Sequence, residues 1–267
     1  MSSLTLLREL AQRRALVLAL TRRALLVRYR GTALGLLWSL VHPLALCAVY
    51  ALVFGSFVGV GEVVRPGLGG TGYAAFLCAG LLPWLWFSQT ISIAATSILG
   101  DAPFVRQAAF SPAIPAVVAS LAGLVQFLIA LPVLAGALLL LGVRPGPWLA
   151  ALPLAVLLQW LLTLGLGLGL SALCVRFRDT AQVLQAVLPV WFLLTPVLYP
   201  AERLPEAVAW LRLVNPLAPL SESFQAALLS TGPPPAALAV SAGWAVLSLG
   251  VGAAVLERLR DRIPEEL

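Results

Sequence analysis

Few residues in this chain have a type or spacing that could do chemistry. The single histidine, His42, precedes Pro43; one imidazole cannot make a metal site, and a capping or packing role suits it. Cys47, Cys78 and Cys174 lie in or at the ends of apolar runs, with neither a CxxC pair nor metal-ligand spacing, and read as small packing residues. There is no GxxxxGK[ST] loop to cradle a nucleotide. Gly165, Gly167 and Gly169 sit inside an apolar run rather than after a strand; Gly165 and Gly169, four apart, share a helix face and allow close helix–helix approach. The serines are scattered, with no base in reach by sequence. No catalytic residue, metal site or cofactor is therefore expected in this chain. What remains is arginine, aromatic rings, and one acid, Glu222, set in a broken apolar segment.

The elements that must position these residues follow from composition. Of 267 residues, 61% are apolar and 10% charged, whereas a soluble domain is about a quarter charged. Apolar stretches beyond ~20 residues without a charge are membrane spans. The expected fold is an all-α polytopic membrane protein in one domain, residues 1–267, crossing six times: about 36–58, 73–99, 112–141, 148–174, 181–199 and 236–256. Between the last two spans, about 205–230, the pieces 207–214 and 220–229 are too short to cross ~30 Å of hydrocarbon. Asn215-Pro216 and Pro219 separate them, so a re-entrant hairpin of two short helices is expected, with a seventh span as the alternative.

Residues 1–33 carry seven arginines, with Leu4, Leu7, Ala11, Leu18 and Leu25 near one helical face. That pattern predicts an amphipathic helix in the membrane interface. The net charge is +6 and every basic residue is arginine. Their placement beside apolar spans argues for topology rather than for a nucleic-acid partner. With both termini cytoplasmic, thirteen arginines fall inside and four outside (Arg65, Arg144, Arg203, Arg212), as the positive-inside rule asks. The tail, 257–267, is then cytoplasmic. None of the six spans holds Asp, Glu, Lys or Arg, which argues against an ion-coupled carrier. A structural protein, a channel or a subunit driven by a partner remains.

Several segments, in order, carry a family resemblance. They are Arg28-Tyr29-Arg30-Gly31 with Leu34-Gly35, Trp38 and Pro43; Leu82-Pro83-Trp84-Leu85-Trp86-Phe87-Ser88; Val175-Arg176-Phe177-Arg178-Asp179; and Thr195-Pro196-Val197-Leu198-Tyr199-Pro200 followed by Asn215-Pro216-Leu217. From about Leu26 to Leu256 the chain resembles the permease subunit of ABC-2-type transporters that export bacterial surface polysaccharides: O-antigen, teichoic acid or capsule chains, commonly on a lipid carrier. It departs from the family at Cys174 (often Asn), at His42 (more usually an amide or basic residue) and at Ser111, where proline is expected.

The resemblance implies a transporter permease, not an enzyme, in the bacterial cytoplasmic (inner) membrane. It further implies a homodimer of this chain with two copies of an ABC ATPase subunit, which would hold ATP and magnesium. A permease for a drug or small lipid is the runner-up; a passive channel or scaffold is the reading from another class. The loop 100–111, with Arg106 between Phe104 and Phe110, would dock on the ATPase, or is an ordinary tight turn. Arg28 and Arg30, flanking Tyr29, suit a lipid-linked pyrophosphate through bidentate guanidinium contacts, or serve as topogenic charges. Arg176 and Arg178 face the same choice, with Asp179 as a partner for one of them. Trp38, Tyr50, Trp84, Trp86, Phe87, Trp191 and Tyr199 would stack on sugar rings, or form an interfacial belt. Trp84 and Trp86 point about 200° apart on a regular helix, so at most one faces a given lumen. Glu222 would contact substrate or cap a helix end.

Overall fold

The computed structural model describes residues 11–29, 38–57, 69–106, 110–208, 210–232 and 235–267. Those residues are helical almost throughout: α1 Arg14–Tyr29, α2 Trp38–Tyr50, α3 Gly69–Gly100, α4 Ala102–Val105, α5 Ala113–Leu140, α6 Leu152–Arg176, α7 Thr180–Leu194, α8 Leu211–Val214, α9 Ala218–Leu228, α10 Pro235–Leu259 and α11 Ile263–Glu266. A π-helical stretch, Ala51–Phe57, continues α2. Among the described residues there is no strand.

Four helical stretches are long and apolar enough to cross a membrane: Gly72–Gly100, Ala113–Leu140, Pro147–Arg176 and Ala236–Leu259. Two shorter apolar ones, Val41–Gly55 and Thr180–Leu194, complete the bundle. The expected fifth span overran its helix, which ends at Leu194 rather than near Tyr199. Pro196 forces its predecessor out of the α region, and Thr195 sits at φ −97°, ψ 135°. After α5, Gly142 takes φ 82°, and the amides of Gly142 and Val143 donate to Leu139 and Leu138 (3.0 and 2.9 Å), which reverses the chain.

The helices meet in two buried clusters. The larger gathers Leu77, Leu81, Phe87 and Ile91 of α3, Leu134 of α5, Leu162 of α6 and Leu220 and Phe224 of α9. Cys47 and Cys78 pack within it, and Cys174 is fully buried. The smaller joins Val17 of α1, Ile98 and Val105, Ile114 of α5, Leu168 of α6, Leu256 of α10 and Ile263 of α11. Chain order therefore alternates the helices end for end, and the second cluster ties both terminal segments to one end of the bundle.

α6 and α10 approach most closely. A Cβ on Gly252 would overlap the carbonyl group of Gly165, and one on Gly169 would lie 3.3 Å from the Cα of Gly252. The glycine pair expected to let helices meet does so.

In α1, Leu18, part of the expected apolar stripe, is 64% exposed. The face turned toward α5 is Val17, Leu20, Thr21 and Ala24, which leaves Leu18 on the outer side of the helix. Leucine and valine occur on every side of this helix, so hydropathy alone does not choose the packed face. Leu4 and Leu7 lie outside the described residues.

The broken segment forms two short helices with Asn215-Pro216 between them. α9 is buried nearly all round and packs on α3, α6 and α10. Ser221 Oγ and Gln225 Nε2 both donate to the Pro196 carbonyl, at 3.1 and 3.2 Å. Gly80 makes room, since a Cβ there would lie 2.6 Å from Gln225 Nε2.

Candidate functional site

Three helices each give one stripe to a cavity of about 530 Å³, within the ~300–1,000 Å³ range of small-molecule sites. α2 supplies Leu46 and Tyr50, one turn apart. α3 supplies Leu81, Trp84, Leu85, Ser88, Gln89 and Ser92, on spacings of three and four. α7 supplies Gln185, Leu188, Pro189 and Phe192 by the same rule. Arg28, in the last turn of α1, completes the wall.

The wall changes character along α3. Toward Trp84 it is aromatic: the Trp84 ring lies 5.4 Å from Phe192, 5.8 Å from Phe87 and 6.4 Å from Trp191, and Tyr50 stacks on Phe192 at 6.1 Å. Toward Ser92, eight residues or ~12 Å further on, it adds hydroxyl and amide groups beside Ile93. Ser88 and Ser92 donate to the carbonyls of Leu85 and Ser88 (3.2 and 2.7 Å), so their oxygens still accept hydrogen bonds.

Arg28 is the charged residue of this lining. Its guanidinium donates to Gln126 Oε1 at 2.8 Å and to Gln89 Oε1 at 3.4 Å. Both acceptors are neutral amides. Among the described residues no carboxylate pairs with Arg28, so the hydrogen bonds hold the group while its positive charge stays uncompensated.

The structure brings only part of the sequence-derived set to this cavity. Arg28 and Trp84 line it, and Trp191 and Phe87 back it, their rings 5.3 Å apart. Trp86 points elsewhere, as its spacing from Trp84 requires, and stacks on Phe127 at 4.3 Å and 12°. Phe87 is fully buried. Tyr199, beyond the end of α7, donates its hydroxyl to the Leu193 carbonyl at 3.0 Å. The side chains of Tyr29 and Trp38, and all of Arg30, lie outside the described residues.

Glu222 lies apart from the cavity, where Arg212 grips both its carboxylate oxygens at 3.0 and 2.9 Å. Asn215 joins that region to the aromatic cluster. Its side-chain oxygen accepts from Trp191 Nε1 (2.8 Å) and the Leu217 amide (3.0 Å), and its amide donates to the Leu194 carbonyl and Thr195 Oγ1 (3.1 and 3.0 Å).

At the other end, Phe104 and Phe110 lie 6.3 Å apart, Arg23 sits 6.0 Å over the Phe104 ring, and Arg106 is exposed. Residues 107–109 of that loop lie outside the described set. Burial raises the pKa of Asp101 beside it, and Arg23 opposes the shift. Arg176 pairs with Glu266 at 2.6 Å rather than with Asp179. Arg178 is exposed, and Asp179 precedes α7 without a side-chain capping bond. Among the described residues no three His, Cys, Asp or Glu groups are placed to hold a metal.

Gln89, Gln126, Gln185, Ser92 and Phe192 were not expected from sequence, and Ser88 and Asn215 entered only through the family segments and the helix break. The 88, 89 and 92 spacing on an aromatic helix was the available signal, since it puts polar groups on the same face as Trp84.

The sequence profile of the ABC-2 type transporter family matches residues 15–229. The chain belongs to the ABC-2 type transporter family. Among its relatives is the O-antigen export system permease protein RfbA of Myxococcus xanthus, 31% identical over 269 residues, covering 98% of this chain and 99% of that protein. Another, the O-antigen export system permease protein RfbA of Klebsiella pneumoniae, is 30% identical over 212 residues, 79% of this chain and 78% of that one. This ABC-2 chain is thus a multi-pass subunit of the inner membrane and a transporter component rather than an enzyme. Membership implies an ABC ATPase as its partner.

Proposed function

We propose that the chain is the transmembrane subunit of an ATP-driven exporter that moves a lipid-linked polysaccharide, of O-antigen, teichoic acid or capsule type, across the cytoplasmic membrane. The carrying observation is the makeup of the cavity. Aromatic faces suit sugar rings, hydroxyl and amide groups suit their hydroxyls, and an uncompensated guanidinium suits a phosphate. The guanidinium, amides and hydroxyls set beside the aromatic rings favour a phosphorylated sugar over a wholly apolar drug. The relatives, O-antigen export system permeases, support the same substrate class.

The finer architecture belongs to the proposal. Six spans follow if α2 with its π stretch, 13 and 7 residues, and α7 with the segment after it are counted with the four long helices. The arginine partition favours cytoplasmic termini, with α1 at the interface and α8–α9 as a re-entrant hairpin. Residues 1–267 then form one transmembrane domain that works as a homodimer with two ATPase subunits, which bind ATP and magnesium. Phe104, Arg106 and Phe110 contact the ATPase; Arg176, Arg178 and Asp179 lie on the cytoplasmic side. Arg28 and Arg30 take the pyrophosphate, with Tyr29 and Trp38 beside them. Trp84, Trp191 and Phe87 form or support the sugar track, Trp86 and Tyr199 flank it, and Glu222 meets the chain further out.

Vanadate-sensitive ATP hydrolysis by the reconstituted permease–ATPase complex tests this reading. Lipid-linked oligosaccharide from the host should stimulate it. Losing a charge-assisted contact worth ~1.5–3 kcal/mol in Arg28→Ala should raise the half-stimulating concentration about 10- to 150-fold, with the complex still assembled. A parent complex that the substrate does not stimulate would overturn the proposal.

A further inference from the structure

A second cavity, of about 380 Å³, lies toward the opposite end of α3, between the segment at 200–202 and α9. Phe76 on its wall is thirteen residues from Gln89, or ~20 Å along the helix. Its polar lining is Glu202, Glu222, Gln225 and Thr231. Glu222 also faces a neighbouring cavity of about 300 Å³ that Arg212 lines, so its carboxylate stands between the two.

The charge balance here is the reverse of that at Arg28. One guanidinium, Arg212, is bound to Glu222 through two short bonds. Glu202 lies close enough to act on Arg212 through space, and among the described residues the direct ion pair of Arg212 is with Glu222. Among the described residues the lining itself carries two carboxylates and no guanidinium, which disfavours phosphate. Gln225, 6% exposed, donates Nε2 to Pro196 at 3.2 Å; among the described residues its amide oxygen accepts no hydrogen bond. Carboxylate and amide oxygens beside an apolar wall that includes Phe76 and Leu229 are acceptors for the paired hydroxyls of a sugar ring.

We propose that this cavity is a second substrate subsite, which holds a neutral or amino-bearing sugar unit of the chain through Glu202, Glu222 and Gln225. The proposal rests on the exporter reading and deepens it. Anionic phosphate and sugar are recognised at separate places, by groups of opposite charge ~20 Å apart along α3. Arg212 fixes the Glu222 carboxylate by two bonds and leaves its remaining lone pairs to the ligand.

The test uses the full permease–ATPase complex in nanodiscs, carrying Thr231→Cys. Thr231 is exposed on the cavity wall, and the three native cysteines are buried. The rate of modification by a membrane-impermeant maleimide is read with two probes: glycan chains released by mild acid from the exported polymer, and inorganic pyrophosphate. The glycan should slow modification at least fivefold and pyrophosphate should not. Glu202→Gln, which leaves the Arg212–Glu222 pair in place, should return the rate to its unprotected value, and Glu222→Gln should do the same. If the glycan fails to protect while the lipid-linked form still stimulates ATP hydrolysis, this subsite is overturned and the exporter reading stands. Equal protection by pyrophosphate, or full protection in both Gln variants, also overturns it. Loss of both protection and stimulation in the parent overturns both readings.

Discussion

Gly252 and Gly250 lie on the same helix, α10, and alanine at each should have opposite effects. At Gly250 an added Cβ meets nothing within 4 Å. Alanine there gains only the helix preference over glycine, about 1 kcal/mol. At Gly252 the added Cβ meets the carbonyl oxygen of Gly165, then its carbonyl carbon at 2.7 Å and its Cα at 3.3 Å. All three are backbone atoms, so no side chain can turn aside. α6 and α10 must part, and the Gly169 contact and the one between Gly165 and the Ser248–Leu249 backbone open with them.

Overpacking of this kind costs about 1–3 kcal/mol, and a rigid neighbour puts Gly252 at the upper end. The helix gain returns about 1 kcal/mol, which leaves a net loss of about 2. The two variants should then differ by about 3 kcal/mol, or ~6–12 °C at 2–4 °C per kcal/mol for a chain of this size. Thermal unfolding of the detergent-purified protein, followed by tryptophan fluorescence, reads the difference directly. A Gly252→Ala protein that melts at or above Gly250→Ala would refute the close α6–α10 contact and the packing role of the Gly165–Gly169 pair.

Asn215→Leu removes an amide that satisfies four groups and strands the Trp191 and Leu217 N–H donors. At ~1–3 kcal/mol for each buried orphan, about 3 kcal/mol of stability should be lost, with faster hydrogen exchange over 211–217; exchange equal to the parent's would count against the clasp. Phe104→Ala combined with Arg106→Ala should lower retention of the ATPase in detergent about tenfold without moving the permease melting temperature, and undiminished retention would remove that loop from the interface.

Much of the bundle was legible because its cause is local. Long uncharged runs must be helices where no water satisfies the backbone, and Pro196 and the Asn215-Pro216 pair stop helices whatever surrounds them. The divergence of Trp84 and Trp86 followed from 100° of turn per residue. The overrun past Leu194 came from treating apolar character as helix, since Val197 and Leu198 are buried but not helical. The packed face of α1 was not legible, because leucines on all its sides leave the choice to tertiary contacts. The cavity was least legible of all. Ser88, Gln89 and Ser92 mark a polar stripe on α3, but nothing in that stripe announces that Gln185 of α7, Tyr50 of α2 and Arg28 of α1 converge on it.

The same chemistry explains why amides serve there. A carboxylate beside Arg28 would hold it firmly but would cancel its charge and compete with an incoming phosphate. Leaving the guanidinium without fixed partners would let this exposed side chain swing freely and would lose its placement on the wall. Gln126 and Gln89 take an intermediate course: their carbonyl oxygens satisfy N–H donors, and their net charge of zero leaves the field of the cation intact. On the proposed reading, a site that must first attract an anion and then release it favours such neutral holders over an acid. At the far end the requirement reverses, and the carboxylates of Glu202 and Glu222 on the cavity wall suit hydroxyls that donate. A charged group is legible in a sequence, but whether it is neutralised depends on partners that only the fold brings near.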